Sequence, residues 1–155
     1  MATFAYPIGD LNMRNGTIDV DTDTIKVTLL MTNTTADTEQ DVATVSALAT
    51  LDECDAGGAF TWGHGGNGRK TVTITATRSA GQTQINIPAG STTWTALPLG
   101  ASGRSIAGVL LFSEGAADDT TAYPIAWLEF TSPVAANGTD FTVTWSGGEV
   151  VVANM

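Results

Sequence analysis

Cysteine, histidine and basic side chains are all scarce in this chain, and each scarcity excludes something. Cys54 is the only cysteine among 155 residues, so no intrachain disulfide can form, which fits a protein folding in a reducing cytoplasm. His64 is the only histidine. One cysteine and one histidine cannot supply the four ligands of a structural zinc site. Cys54 also lies between Glu53 and Asp55, neighbours that disfavour a thiolate, so a cysteine–histidine enzyme is not expected. No Gly-x-Ser-x-Gly elbow offers a serine nucleophile. Six Lys and Arg stand against sixteen Asp and Glu, a formal charge of −10. So acidic a surface repels phosphate backbones, and nucleic acid is not an expected partner. There is no apolar run of about 18 residues to cross a membrane as a helix. The opening "MATFAYPIGD" has neither the basic nor the apolar region of a signal peptide.

What is present reads as β-structure. "TVTITATR" (71–78) and "TDFTVTW" (139–145) alternate threonine with apolar residues, the period of a strand with one wet and one buried face. "IKVTLLM" (25–31), "IAGVLLF" (106–112) and "PIAWLEF" (124–130) are longer apolar runs that suit central strands. "TQINI" (83–87), "TTWTAL" (92–97) and "EVVVA" (149–153) complete the set. Turn residues fall between the runs at Ala80-Gly81, Pro88 to Gly90, Gly100 to Gly103 and Asn137-Gly138, and Gly147-Gly148 reads as a tight hairpin. The expected fold is all-β: a single antiparallel β-sandwich or barrel-like (jelly-roll-like) domain over residues 17–155, preceded by an extended arm over 1–16. Two segments resist this pattern. Residues 37–53 carry a weak helical period through Val42, Val45 and Leu48, and "AGGAFTWGHGGNGRK" (56–70) is one long Gly-rich loop.

Candidate chemistry is sparse. Asp19, Asp21 and Asp23 match the first three acidic positions of an EF-hand loop, but Thr24 stands where glycine must turn and Leu30 where the bidentate glutamate belongs. On an extended backbone the three carboxylates would lie about 7 Å apart on one face, too far to chelate a small cation. The ladder reads as a solvated, polar lead-in to the strand that begins at Ile25. No metal, cofactor or catalytic residue is expected. Glu129, inside "AWLEF", reads as an outward charge that guards a sheet edge. Trp127 and Trp145 sit in apolar strand patterns, and Trp94 also reads first as core. Trp62, in the Gly-rich loop, is equally suited to the core or to a partner, and with Trp94 it could stack on a sugar ring.

Three stretches, "DVDTDTIKVTLL", "LATLDECDAGGAF" and "GTDFTVTWSGGEVVV", occur in an order and spacing that resembles a family of small virion structural proteins of tailed bacteriophages. The segment "TWGHGGNG" departs from that pattern as an insertion. The resemblance implies a decoration (cement) protein on the outer capsid surface, bound to the major capsid protein and self-associating, with a trimer favoured. It also implies synthesis in the host cytoplasm and residence on the virion, with neck or tail as other positions. An acidic, Thr-rich surface suits a protein needed soluble at high copy. The expected partner contacts are Phe4, Tyr6, Leu11 and Met13, apolar residues with no partner inside the 1–16 segment, together with Trp62 and His64 of the loop. A carbohydrate-binding β-sandwich module is the alternative from a different class.

Overall fold

The computed structural model describes residues 3–54, 59–79, 82–98, 104–147 and 149–154. Along the chain run β1 (Phe4–Ala5), α1 (Pro7–Arg14), β2 (Ile25–Met31), β3 (Lys70–Thr71), β4 (Thr75–Ser79), β5 (Gln82–Asn86), β6 (Gly90–Trp94), β7 (Ser105–Ser113), β8 (Tyr123–Ala135), β9 (Phe141–Trp145) and β10 (Glu149–Asn154). A five-stranded sheet has the order β1-β8-β7-β2-β3, a three-stranded sheet the order β10-β5-β4, and β6 pairs with β9 alone. The pairings are antiparallel, and the fold is the expected all-β sandwich.

Both faces of the large sheet are covered, which explains why its central strands read as unbroken apolar runs. Ile25, Val27, Leu29 and Met31 of β2 join Val109 and Leu111 of β7 in the main core, against Ile85, Trp94 and Val143 from the smaller sheets. The opposite face carries Leu30, Leu110, Phe112 and Trp127, covered by Tyr6, Ala36, Val45, Leu48 and Ala122 in a second core. Bulges keep this two-sided assignment in step, because an extra residue reverses which face the following side chains take. The β7–β8 register shifts between Ile106 and Gly108 and again between Leu111 and Phe112. Ala107 is likewise an extra residue of β7 opposite β2, so Ile106 and Val109 share the main core despite their odd spacing, and Ile125 is the extra residue of β8 that lets the adjacent Ile125 and Ala126 both reach it.

Residues 3–16 of the expected 1–16 arm are not extended as a whole: they hold β1 and α1. Phe4 and Ala5 pair with Trp127 and Ala126 of β8, and the Tyr6 amide donates to Ile125 O at 2.9 Å. Tyr6 is fully buried, and its hydroxyl donates to Ala36 O at 2.7 Å. Helix α1 starts with proline at its first turn, and an Asp10–Arg14 ion pair one turn apart supports it. It lies flush on β8 because Gly9 has no side chain; a Cβ there would stand 2.6 Å from Pro124 O and 2.8 Å from Ile125 Cα. Phe4 and Tyr6 find their partners on β8 and on the loop near residue 36, and Met13 packs on the main core, so residues 3–16 belong to the domain although Leu11 stays exposed.

Three further expectations change. The 71–78 run splits into β3 and β4 around Val72, whose amide donates to Ile25 O. Residues 37–53 form turns with one short 3₁₀ stretch at Val45–Ala47, because threonine hydroxyls bind backbone that a helix would need. Thr34 donates to Thr50 O and Leu51 O, and the Ala49 amide donates to Glu39. Strands β9 and β10 form no hairpin: β9 pairs with β6 and β10 with β5. Gly147, with φ +77°, turns the chain from one sheet to the other. Gly148 and the expected turns at Ala80-Gly81 and Gly100–Gly103 lie outside the described residues.

Candidate functional site

The Gly-rich loop, described from Ala59 onward, is a closed, hydrogen-bonded unit. The Thr61 amide donates to Asn67 Oδ1 at 2.6 Å, Asn67 Nδ2 donates to Ala59 O at 2.8 Å, and the Gly68 amide donates to Thr61 O at 2.9 Å. The Trp62 ring lies over Gly68, where a Cβ would meet it at 2.6 Å. Trp62 is half-buried against Phe60 (6.0 Å between rings) and the main core, and its buried Nε1 has no hydrogen-bond partner. Trp94 is fully buried, and its Nε1 donates to Gly68 O at 2.7 Å. Trp94, fully buried, offers no open ring face, while Trp62 packs its ring on Gly68 and stays half-exposed.

Charge is concentrated where this loop meets the sheet. The Arg69 side chain is fully buried between two carboxylates. Its Nε and Nη2 donate to Glu53 at 2.7 and 3.0 Å, and its Nη1 and Nη2 donate to Asp119 at 2.5 and 2.9 Å. The guanidinium also stacks 5.1 Å from the Phe112 ring centre. Burial alone would make the cation easier to deprotonate, but the hydrogen bonds and charges of Asp119 and Glu53 outweigh it and raise its pKa. Thr28 donates to Glu53 Oε1 at 2.6 Å. Beside this clamp, Lys26 pairs with Glu114 at 2.5 Å, and the Gly65 amide donates to Glu114 as well. Burial raises the Glu114 carboxyl, but Lys26, Gly65 and the charge of His64 more than reverse this and hold it below its ordinary range. His64 itself is exposed.

The aspartate ladder is a turn rather than an extended lead-in. The Asp23 amide donates to Asp19 O at 2.7 Å, the Asp21 amide to Asp19 Oδ1 and the Asp19 amide to Asp23 Oδ2. The carboxylates satisfy local backbone donors, and among the described residues no three His, Cys, Asp or Glu side chains converge as a metal site requires. Cys54 is buried, with its amide donating to Leu29 O.

A groove of about 620 Å³ lies between β8 and β9, lined by residues 129–132, Val134 and 140–144. It follows from an irregular ladder: Gly108 pairs with Glu129 but Ile106 with Val134, so β8 spends four residues where β7 has one. β8 swings out there, and residues 131–135 are exposed. Val134 (43%) and Leu11 (55%) are the exposed large hydrophobic residues of the described chain. Glu129 is half-buried, with its amide donating to Thr3 Oγ1 at 3.3 Å. The six expected contact residues do not form one surface. Phe4 and Tyr6 meet at 5.1 Å and serve the second core, Met13 and Trp62 pack on the main one, and Leu11 and His64 face solvent. Sequence reasoning missed the groove, although Pro133 within a strand was a usable signal of an edge.

Comparison with protein-family models, with curated proteins and with solved structures finds no match to this chain.

Proposed function

We propose that this is a non-enzymatic structural protein of a tailed-phage virion, a decoration protein that binds the outer capsid surface and braces the lattice of the major capsid protein. The observation that carries the reading is the combination of an open, exposed strand edge at β9 with ionisable clusters engaged in internal bonds. Arg69, Glu53, Asp119, Lys26 and Glu114 all hold the loop to the sheet, and the groove at β9 is lined by strand residues suited to a protein partner. The resemblance to small phage virion proteins points the same way, because its three stretches contain all but the last residue of β2, the Glu53 side of the clamp and β9. Residence on the virion after synthesis in the host cytoplasm, and self-association with a trimer favoured, belong to the same reading. The test is co-sedimentation with capsid shells assembled from major capsid protein alone. Saturable binding at a fixed ratio, with shells that melt at higher temperature, is the expected result; protein that stays in the supernatant at all concentrations refutes the proposal.

A further inference from the structure

We infer that the open edge of β9 is a strand-addition site for an extended partner segment bearing basic side chains. The inference deepens the reading above and rests on it for the partner's being a virion protein; the edge itself is read from geometry. Residues 141–144 line the groove without a gap. Successive residues of a strand point to opposite faces, so a groove touching every one of them runs along the backbone edge rather than over a face. On its other side β9 pairs with β6, and among the described residues no strand pairs with its outer side. Exposed edges are ordinarily blunted by lysine, proline or a covering element, yet 139–145 contains neither Lys nor Pro. Phe130 and Phe141, whose rings lie 6.0 Å apart, join the two walls.

The occupant's character follows from the lining. The β9 wall carries the acidic Asp140, no basic residue lines the groove, and the chain as a whole carries −10. A second copy of this chain, itself at −10, is electrostatically mismatched, whereas a segment alternating lysine or arginine with small apolar residues matches. Five added residues span roughly 17 Å, the length of β9.

The test uses the full chain and three labelled heptapeptides: alternating Lys-Val, alternating Glu-Val, and Lys-Val with alternate amides N-methylated. Fluorescence anisotropy is expected to show the Lys-Val peptide binding, more weakly as salt rises. The N-methylated peptide is expected to bind about tenfold more weakly because its edge-facing hydrogen bonds are lost, and the Glu-Val peptide by at least as much. Hydrogen exchange is expected to slow at residues 141–145 when the Lys-Val peptide is bound. The variant Asp140→Asn is expected to weaken that peptide severalfold, with exchange elsewhere reporting that it is folded. Equal binding of all three peptides, or no protection at 141–145, overturns the inference. Protection that grows with protein concentration alone also overturns it, in favour of a second copy. No capsid is present in this assay, so peptide binding without shell binding refutes the virion reading alone, and shell binding without peptide binding refutes the edge assignment alone.

Discussion

Replacing Arg69 by alanine is expected to destabilise the fold far more than loss of a surface ion pair, and the excess is traceable. The guanidinium is fully buried, while the Glu53 and Asp119 side chains retain 11% and 24% of their exposure. Arg69→Ala removes four charge-assisted hydrogen bonds and leaves two largely desolvated carboxylates facing a void. Removing one member of a buried ionic cluster costs about 3–5 kcal/mol, mostly from the charge left behind. At about 4 kcal/mol, a domain of this size loses about 8–16 °C in Tm. Arg69→Lys keeps the charge without the two-pronged geometry and falls between. The triple variant Arg69→Met, Glu53→Gln, Asp119→Asn leaves no unpaired charge and is expected to recover most of the loss. Urea and thermal unfolding followed by circular dichroism read all of this. An Arg69→Ala cost below about 1 kcal/mol, or a triple variant no better than the single one, refutes the reasoning.

Tyr6→Phe removes the hydroxyl bonded to Ala36 O and is expected to cost about 1–2 kcal/mol in urea unfolding. Burial, then the charges of Asp37 and Glu39, push the Tyr6 phenol above its ordinary value. The unfolded chain therefore ionises first, and this contribution is lost as pH rises past about 10, a decline that Tyr6→Phe flattens. Glu114 behaves in the opposite sense. Despite burial, Lys26, Gly65 and His64 hold its carboxyl below the ordinary range, so its contribution is present above about pH 4.3 and is lost as pH falls through the lowered value. Lys26→Met is expected to flatten that acid limb of the stability curve. Gly9→Ala puts a methyl group into the β8 backbone and is expected to cost about 1–3 kcal/mol, with hydrogen exchange rising first in residues 4–14.

The strands were legible wherever composition and period agreed. "IKVTLLM" is β2 from end to end, and the "IAGVLLF" and "PIAWLEF" runs lie inside β7 and β8. Their continuous apolar character was itself the mark of a sheet covered on both faces. What stayed hidden depends on residues distant in sequence. Tyr6 looked partnerless because its partner is Ala36 O, and Arg69 looked like the basic end of a loop because Glu53 and Asp119 are far along the chain. The aspartate turn was misread as extended because side-chain-to-backbone bonds, not period, fix that stretch. The β9 groove arises from a register jump between β7 and β8, which no local pattern encodes beyond Pro133.

The two-sided burial of β2 has a consequence for how this protein comes into being. Ile25 pairs with Ser113, and Met31 with Ile106. About 80 positions separate the start of β2 from the start of β7, and a ribosome adding ~5–20 residues per second takes about 4–16 s to cover them. Throughout that interval the most apolar strand of the chain has only its two-residue ladder with β3, and β5 waits about 67 positions for β10. Little of the sandwich can form during synthesis. A fold built on such distant pairings closes in milliseconds to seconds once its strands exist, so the hazardous period is the wait rather than the closing. A cell making this protein in quantity must shield residues 25–31 until the second half of the chain arrives.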